Sequence, residues 1–171
     1  MTAFTFRMPA GFAGEVNRTH PASISPEQND TTNPIALPGL IAMMTATGTV
    51  RNALASDTSN GDIWGIAVRA FPIQQTSSAN AYASVGYGGV APGTAQPIDT
   101  LRSGFILVPV VGSPVKGGAV YVWTAAASGS HVQGGFEAAT PGGSGFQITV
   151  GRCYWNSPAD ANGLAELAFN V

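Results

Sequence analysis

Glycine and proline interrupt this sequence along its whole length, with 22 glycines and 12 prolines among 171 residues. Proline removes a backbone donor and breaks a helix interior, and glycine weakens the interiors of both helices and strands. About one residue in every five is a glycine or proline, which leaves no room for long helices. The segments between these glycines and prolines are short and rich in β-branched and aromatic residues. This pattern predicts an all-β fold of many short strands, arranged as a β-sandwich or barrel.

The clearest predicted strand runs from Asp62 to Phe71. Successive side chains of a strand point to opposite faces. The alternation therefore predicts one face with Trp64, Ile66, Val68 and Ala70 and an opposite face with Gly65, Ala67 and Arg69. A second segment, Phe105 to Val111, is apolar on both faces and predicts a central strand of the sheet.

Turn signals separate further strands in the C-terminal half. Residues 116–118 (Lys-Gly-Gly) predict a turn, which is followed by a strand over residues 119–123. The apolar alternation of residues 146–150 changes phase before residues 153–155, so we expect a β-bulge near Gly151.

The chain ends on an alternating apolar pattern that predicts a last strand. A turn over residues 160–163 precedes it, with Gly163 at positive φ. The alternating apolar residues of the predicted strand are Ala165, Leu167, Phe169 and Val171. The alternative for this segment is a short helix over residues 164–169.

Residues 1–34 carry scattered apolar side chains without a helical or strand period. We interpret them as an extended N-terminal arm and residues 35–171 as a single β-sandwich domain. Apolar side chains on an aperiodic segment cannot all face their own core, so several are expected to dock on a neighbouring molecule. The alternative is that this segment forms the first strand of its own sandwich. Residues 74–97 are rich in serine, glycine, alanine and proline, and they predict a long loop between strands. Residues 128–145 are interpreted as a further surface loop or as a stretch that contacts a partner.

Charged side chains are scarce, at 9% of the residues, where an ordinary soluble domain has about 25%. Such a surface is covered by neutral polar groups or by another protein, and the centres of interfaces are depleted in charge. The composition therefore favours self-association, as a dimer or trimer, and binding to a larger assembly. A net charge of −2 with no adjacent basic residues gives no electrostatic basis for nucleic-acid binding.

No constellation of residues points to catalysis, a metal or a cofactor. His20 and His131 lack a second ligand at a suitable spacing and are interpreted as ordinary exposed histidines. The glycine-rich run from Gly86 to Ala91 is followed by Pro92, which prevents the helix that a dinucleotide site needs. The single cysteine, Cys153, excludes an internal disulfide, and no apolar run is long enough to span a membrane.

Four segments resemble the structural cement proteins that decorate tailed-phage capsids. Residues 14–19 (GEVNRT) are similar to the Gly-x-Val-x-Arg opening of that family, and residues 63–72 (IWGIAVRAFP) to its "G-x-x-V-R-x-[YF]-P" strand. Residues 116–122 (KGGAVYV) and the ending at 158–170 (PADANGLAELAFN) also fit.

The resemblance implies a non-enzymatic, jelly-roll-like protein without cofactors, made in the bacterial cytoplasm and located in the virion. It would bind the outer surface of the icosahedral head, bridge neighbouring major capsid subunits and stabilise them. The candidate residues for the interface with the capsid or with another copy lie in the arm, where Arg18 is the best polar anchor for a carboxylate. They are Phe4, Phe6, Phe12, Glu15, Val16 and Arg18.

Two other classes of function stay open. A virion surface module that binds host carbohydrate or a receptor would use exposed aromatic residues such as Tyr82 and Tyr87. A small cupin-like enzyme would need a metal cluster of histidine and glutamate, which two distant histidines do not easily supply.

Overall fold

The computed structural model describes residues 11–18, 21–69 and 94–170, and within them the fold is built from β-strands. These form one ten-stranded sheet that curls into a half-barrel, with a single short 3-10 helix at Gly142–Ser144. The strands are β1 (Ser23–Gln28), β2 (Ile41–Met44), β3 (Val50–Arg51), β4 (Ile63–Ala67), β5 (Pro97–Val111), β6 (Tyr121–Trp123), β7 (Phe136–Glu137), β8 (Gly145–Gln147), β9 (Tyr154–Trp155) and β10 (Leu164–Asn170). The predicted all-β, jelly-roll-like fold is confirmed.

Strand β5, with 15 residues, is the longest and organises the sheet. It pairs in antiparallel fashion with β1, β4 and β10, and in parallel with β7. The predicted central strand is therefore confirmed, but it begins at Pro97, eight residues before the apolar run.

In the described ranges, no helix is long and apolar enough to cross a membrane.

Two apolar clusters hold the sheet together. The larger one contains Trp155, whose indole ring meets the Phe136 ring edge-on with 6.5 Å between the ring centroids. The smaller one lies among β2, β3, β4 and the start of β5. Its buried members are Ile35, Leu40, Ala42, Val50, Ala67 and Ile98.

The predicted alternation over residues 66–68 is confirmed, because Ile66 and Val68 pack in the larger cluster and Ala67 in the smaller one. The predicted face of Trp64 is wrong because β4 contains a bulge. Opposite β2, Ala42 pairs with Gly65 but Met43 pairs with Ile63, so Trp64 is an extra residue on β4. A bulge changes the phase of the alternation. As a result, Ile66 packs in the larger cluster and Trp64 against the smaller one.

The C-terminal strand predictions have mixed outcomes. The turn at residues 116–118 and the strand that follows it are confirmed, as is the last strand, which forms β10 and not a helix. Gly163 has φ +72°, as predicted. The β-bulge near Gly151 is wrong: the chain bends there between β8, which pairs with β6, and β9, which pairs with β10.

The segment interpreted as an N-terminal arm contributes a strand to the sheet, because residues 23–28 form β1. Asn29, directly after it, is buried and bonds both backbone groups of Ile35, at 2.9 and 3.1 Å, which closes the following loop. The division into an arm of residues 1–34 and a domain of residues 35–171 stays a prediction. The stretch 128–145, predicted as a loop, contains β7 and the 3-10 helix, whereas residues 74–93 lie outside the described ranges.

Candidate functional site

Residues 11–18, which we call the N-terminal strap, lie against the middle of β5. The backbone N–H of Gly14 donates to Leu107 O at 2.7 Å, and the N–H of Leu107 donates to Glu15 O at 3.0 Å. Val16 forms a β-bridge with Ile106 and packs against the larger apolar cluster. The strap is therefore held to the sheet as an additional short extended segment.

Glu166 of β10 fixes the end of the strap. Its carboxylate accepts hydrogen bonds from Arg18 Nε and Nη2, both at 2.7 Å, from Asn17 Nδ2 at 2.8 Å, and from Asn156 Nδ2. The Arg18 guanidinium also lies 4.7 Å from the centroid of the Phe105 ring. A bidentate pair of arginine and carboxylate restricts orientation as well as distance, so the strap is held in one register on β10.

The environment of Glu166 sets its protonation state. Burial of its side chain acts to raise the pKa, but the hydrogen bonds from Arg18, Asn156 and Asn17 outweigh burial and hold the pKa of Glu166 below its ordinary value. The carboxylate is therefore charged at neutral pH and pairs with the Arg18 guanidinium, half of whose side-chain surface is exposed.

The strap also presents an apolar side chain to solvent. Phe12 is 47% exposed, and the Arg69 guanidinium lies 4.3 Å from the centroid of its ring. The Phe12 N–H donates to Glu15 Oε2 at 3.0 Å, which closes a tight turn around Gly14. Gly14 has φ +77°, and a Cβ there would lie 2.6 Å from Pro38 Cβ, so only glycine fits at this position.

Four of the six predicted interface residues lie in the strap, and the other two lie outside the described residues. Phe12 and Glu15 are exposed on the strap, whereas Val16 and Arg18 bind the sheet of their own chain. Phe4 and Phe6 lie outside the described residues, as do Tyr82 and Tyr87 of the carbohydrate alternative. The role of the predicted set in an interface stays a prediction.

Glu166 is the partner that the sequence did not reveal. It lies 148 residues from Arg18, in the middle of an alternating apolar strand. A carboxylate at a buried position of a strand requires a cation or several hydrogen-bond donors. That requirement was the one signal in the sequence that Glu166 has a charged or polar partner.

His131 differs from the exposed histidine that the sequence predicted. Its Nδ1 lies 2.8 Å from Glu137 Oε1, and its ring stacks on Trp123 with 4.2 Å between centroids. In the described residues, no group of three or more histidine, cysteine, aspartate or glutamate side chains is placed to hold a metal ion. Burial raises the pKa of the Cys153 thiol to about 12, which keeps it protonated and unreactive.

Comparison with known proteins gives one family and one fold. Residues 1–169 match the family model described as XM1 gp53 minor capsid protein. A chain from the solved structure "The capsid of Myoviridae Phage XM1" is 20% identical, with 98% of this chain and 95% of that chain covered and a TM-score of 0.68. At that identity the solved structure supports a common fold alone. None of the curated proteins compared matches this sequence.

Proposed function

This chain belongs to the XM1 gp53 minor capsid protein family, so it is a structural protein of a phage capsid, and on that premise we propose that it binds the outside of the head and stabilises it. In this proposal it bridges neighbouring major capsid subunits, has no enzymatic activity and uses no cofactor.

The observation that carries the proposal is the strap. An exposed phenylalanine at position 12 is held in place by backbone hydrogen bonds to β5 and by the Arg18–Glu166 pair. An apolar side chain held rigidly at a surface loses little conformational entropy when it binds, and such preorganisation favours an interface. The scarcity of charge on the chain supports the same conclusion, since interface centres are poor in charge.

The rest of the N-terminal segment has a place in the proposal. Val16 and Arg18 attach the strap to its own sheet, which leaves Phe12 and Glu15 exposed on the strap. Phe4 and Phe6, together with Phe12 and Glu15, are then the residues proposed to contact a capsid subunit or a second copy of the chain. We propose that a dimer or trimer forms, because a closed symmetric unit fits the two-fold and three-fold positions of an icosahedral shell.

Binding to capsids assembled without this chain tests the proposal. Purified protein is mixed with expanded empty shells and, separately, with unexpanded shells, and each mixture is sedimented and imaged by electron cryo-microscopy. We expect saturable binding to expanded shells and ordered density on the outer surface that joins adjacent capsid subunits. Protein that stays in the supernatant, or density inside the shell, would contradict the proposed function.

A further inference from the structure

A cleft of about 570 Å³ opens between the ends of β2, β3 and β4 and the middle of β5. It is far from apolar, because it contains two arginines and an aspartate. The residues that line it are Met44, Thr45, Ala46, Arg51, Gly61, Asp62, Ile63, Trp64 and Arg102.

Arg102 is held in a fixed position at this cleft. Its guanidinium carbon lies 3.7 Å from the centroid of the Trp64 ring, and its Nη1 donates to the Trp64 backbone oxygen. The Trp64 ring is itself fixed, since its Nε1 donates to Glu27 Oε1 at 2.8 Å. A guanidinium stacked on an aromatic ring that cannot rotate is preorganised for a planar partner.

The charge of Arg102 has no carboxylate partner within the described ranges. The ion pairs there are Arg18–Glu166, Arg51–Asp57 and His131–Glu137. Arg51, the other guanidinium of the cleft, donates to both carboxylate oxygens of Asp57, at 2.7 and 2.9 Å. A guanidinium has five N–H donors, and the backbone oxygen of Trp64 accepts from Nη1 alone. Arg102 therefore has donors available for a ligand.

We propose that the cleft binds an aspartate or glutamate side chain of an adjacent capsid subunit, through two parallel hydrogen bonds from Arg102. This inference rests on the proposed function and names the chemistry of one contact. A carboxylate matches the planar fork of the guanidinium. The positive charge of the cleft is too small to bind a polyanion, because Asp62 lines the same cleft and the charge of Arg51 is neutralised by Asp57. Arg102 also covers one face of Trp64, so that face is not available for stacking on a sugar.

Two substitutions of Arg102 and one matched control test the inference. Arg102→Met removes the charge and keeps an unbranched side chain to pack on Trp64. Arg102→Lys keeps the charge but cannot donate a parallel pair of hydrogen bonds. Arg152→Met removes the same charge at an exposed position outside the cleft. Affinity for expanded shells that lack the chain is measured by sedimentation at fixed ionic strength, and thermal unfolding of each free variant verifies its fold.

We expect Arg102→Met to weaken binding about tenfold or more, Arg102→Lys to weaken it by a smaller factor, and Arg152→Met to leave it unchanged. If the unsubstituted protein binds shells and both Arg102 variants bind them with the same affinity as the unsubstituted protein, the cleft inference is wrong while the proposed function stands. Equal weakening by Arg102→Met and Arg152→Met would show a general charge effect and contradict the inference. If the unsubstituted protein does not bind shells at all, the proposed function is wrong and the inference fails with it.

A glycan array with the same proteins examines the other class of ligand. We expect no sugar to bind. Binding of a sugar that is lost in Arg102→Met would show that the cleft recognises carbohydrate, and it would overturn the inference.

Discussion

Glu166 lies on β10 with its side chain nearly inaccessible to solvent, and three side chains donate hydrogen bonds to its carboxylate. A buried carboxylate without such donors would strongly destabilise the fold. Its strap partners are Asn17 and Arg18, so the same contacts that satisfy this charge also attach residues 11–18 to the sheet. At the scale of a residue, Glu166 therefore fixes the end of the strap at Asn17 and Arg18, beside the backbone hydrogen bonds that hold its middle to β5.

Replacing Glu166 with glutamine removes the charge and keeps the size of the side chain. We expect the free energy of unfolding to fall by about 1–3 kcal/mol, because charged hydrogen bonds to Arg18 are lost in a buried environment. Urea denaturation measures this change. The exposed Glu15 provides a control: Glu15→Gln should change stability by less than about 0.5 kcal/mol. Equal effects of the two substitutions would contradict the role given to Glu166.

The same pair of proteins gives a pH dependence. The folded-state pKa of Glu166 lies below its ordinary value of 4.5, so its charge stabilises the fold above that value, and this contribution is lost as pH falls through the lowered pKa. The stability difference between the unsubstituted protein and Glu166→Gln should therefore be largest above the ordinary glutamate pKa and should shrink as pH falls below it. A difference that widens on acidification would be inconsistent with this sign.

At the scale of an element, β4 and β5 show what the sequence could and could not predict. The apolar run at residues 105–111 was sufficient to predict a central strand, because only a strand covered on both faces is apolar throughout. The first part of β5 was missed, since residues such as Asp99 and Arg102 carry no apolar pattern. Its strand conformation comes from pairing with β1 and β4, which is a tertiary effect.

Strands β4 and β5 approach each other so closely at Gly65 that a larger side chain does not fit there. A Cβ on Gly65 would lie 2.7 Å from the backbone oxygen of Leu101 and 3.2 Å from Thr100 Cβ. Gly65→Ala should destabilise the protein by about 1–3 kcal/mol, since the strands must move apart. Gly143 in the 3-10 helix is the matched control, because a Cβ there meets nothing within 4 Å. Thermal unfolding that shows the same midpoint for both alanine variants would refute the close approach.

Two truncations separate the strap from the residues before it. Removing residues 1–10 leaves every described contact of the strap, so the unfolding midpoint should be unchanged, while shell binding should weaken about tenfold or more if Phe4 and Phe6 contact the capsid. Removing residues 1–22 also deletes Val16 and the Arg18–Glu166 pair, so it should lower the unfolding midpoint as well. Circular dichroism and sedimentation with shells measure both effects. Normal shell binding by the first truncation would exclude a contribution of residues 1–10.

At the scale of the whole molecule, local patterns predicted the class of fold but not its connections. The glycines and prolines and the alternation of apolar side chains predicted short strands, and Gly163 predicted the last turn. The bulge at Trp64 and the pairing of β10 with β5 depend on which segments meet in space. For the candidate site, the sequence indicated the N-terminal segment and Arg18, but Glu166 and Arg102 emerged only when the fold brought β10 to the strap and β5 to Trp64.

The scarcity of charge leads to a prediction about association. A surface with 9% charged residues and an exposed Phe12 should be partly covered, so we expect a dimer or trimer in solution. Light scattering at high micromolar concentration measures the mass directly. A monomer there, together with a monomeric footprint on the shell, would contradict the proposed self-association.

Calorimetry of expanded shells with and without this protein tests the central claim most directly. A protein that binds the assembled shell and not its dissociated subunits stabilises the shell by mass action. We predict that saturating protein raises the melting temperature of the shells, and that the rise is smaller when the residues 1–10 truncation is added at the same concentration. An identical melting temperature with and without the full chain, under conditions where sedimentation shows it bound, would contradict a stabilising role on the capsid.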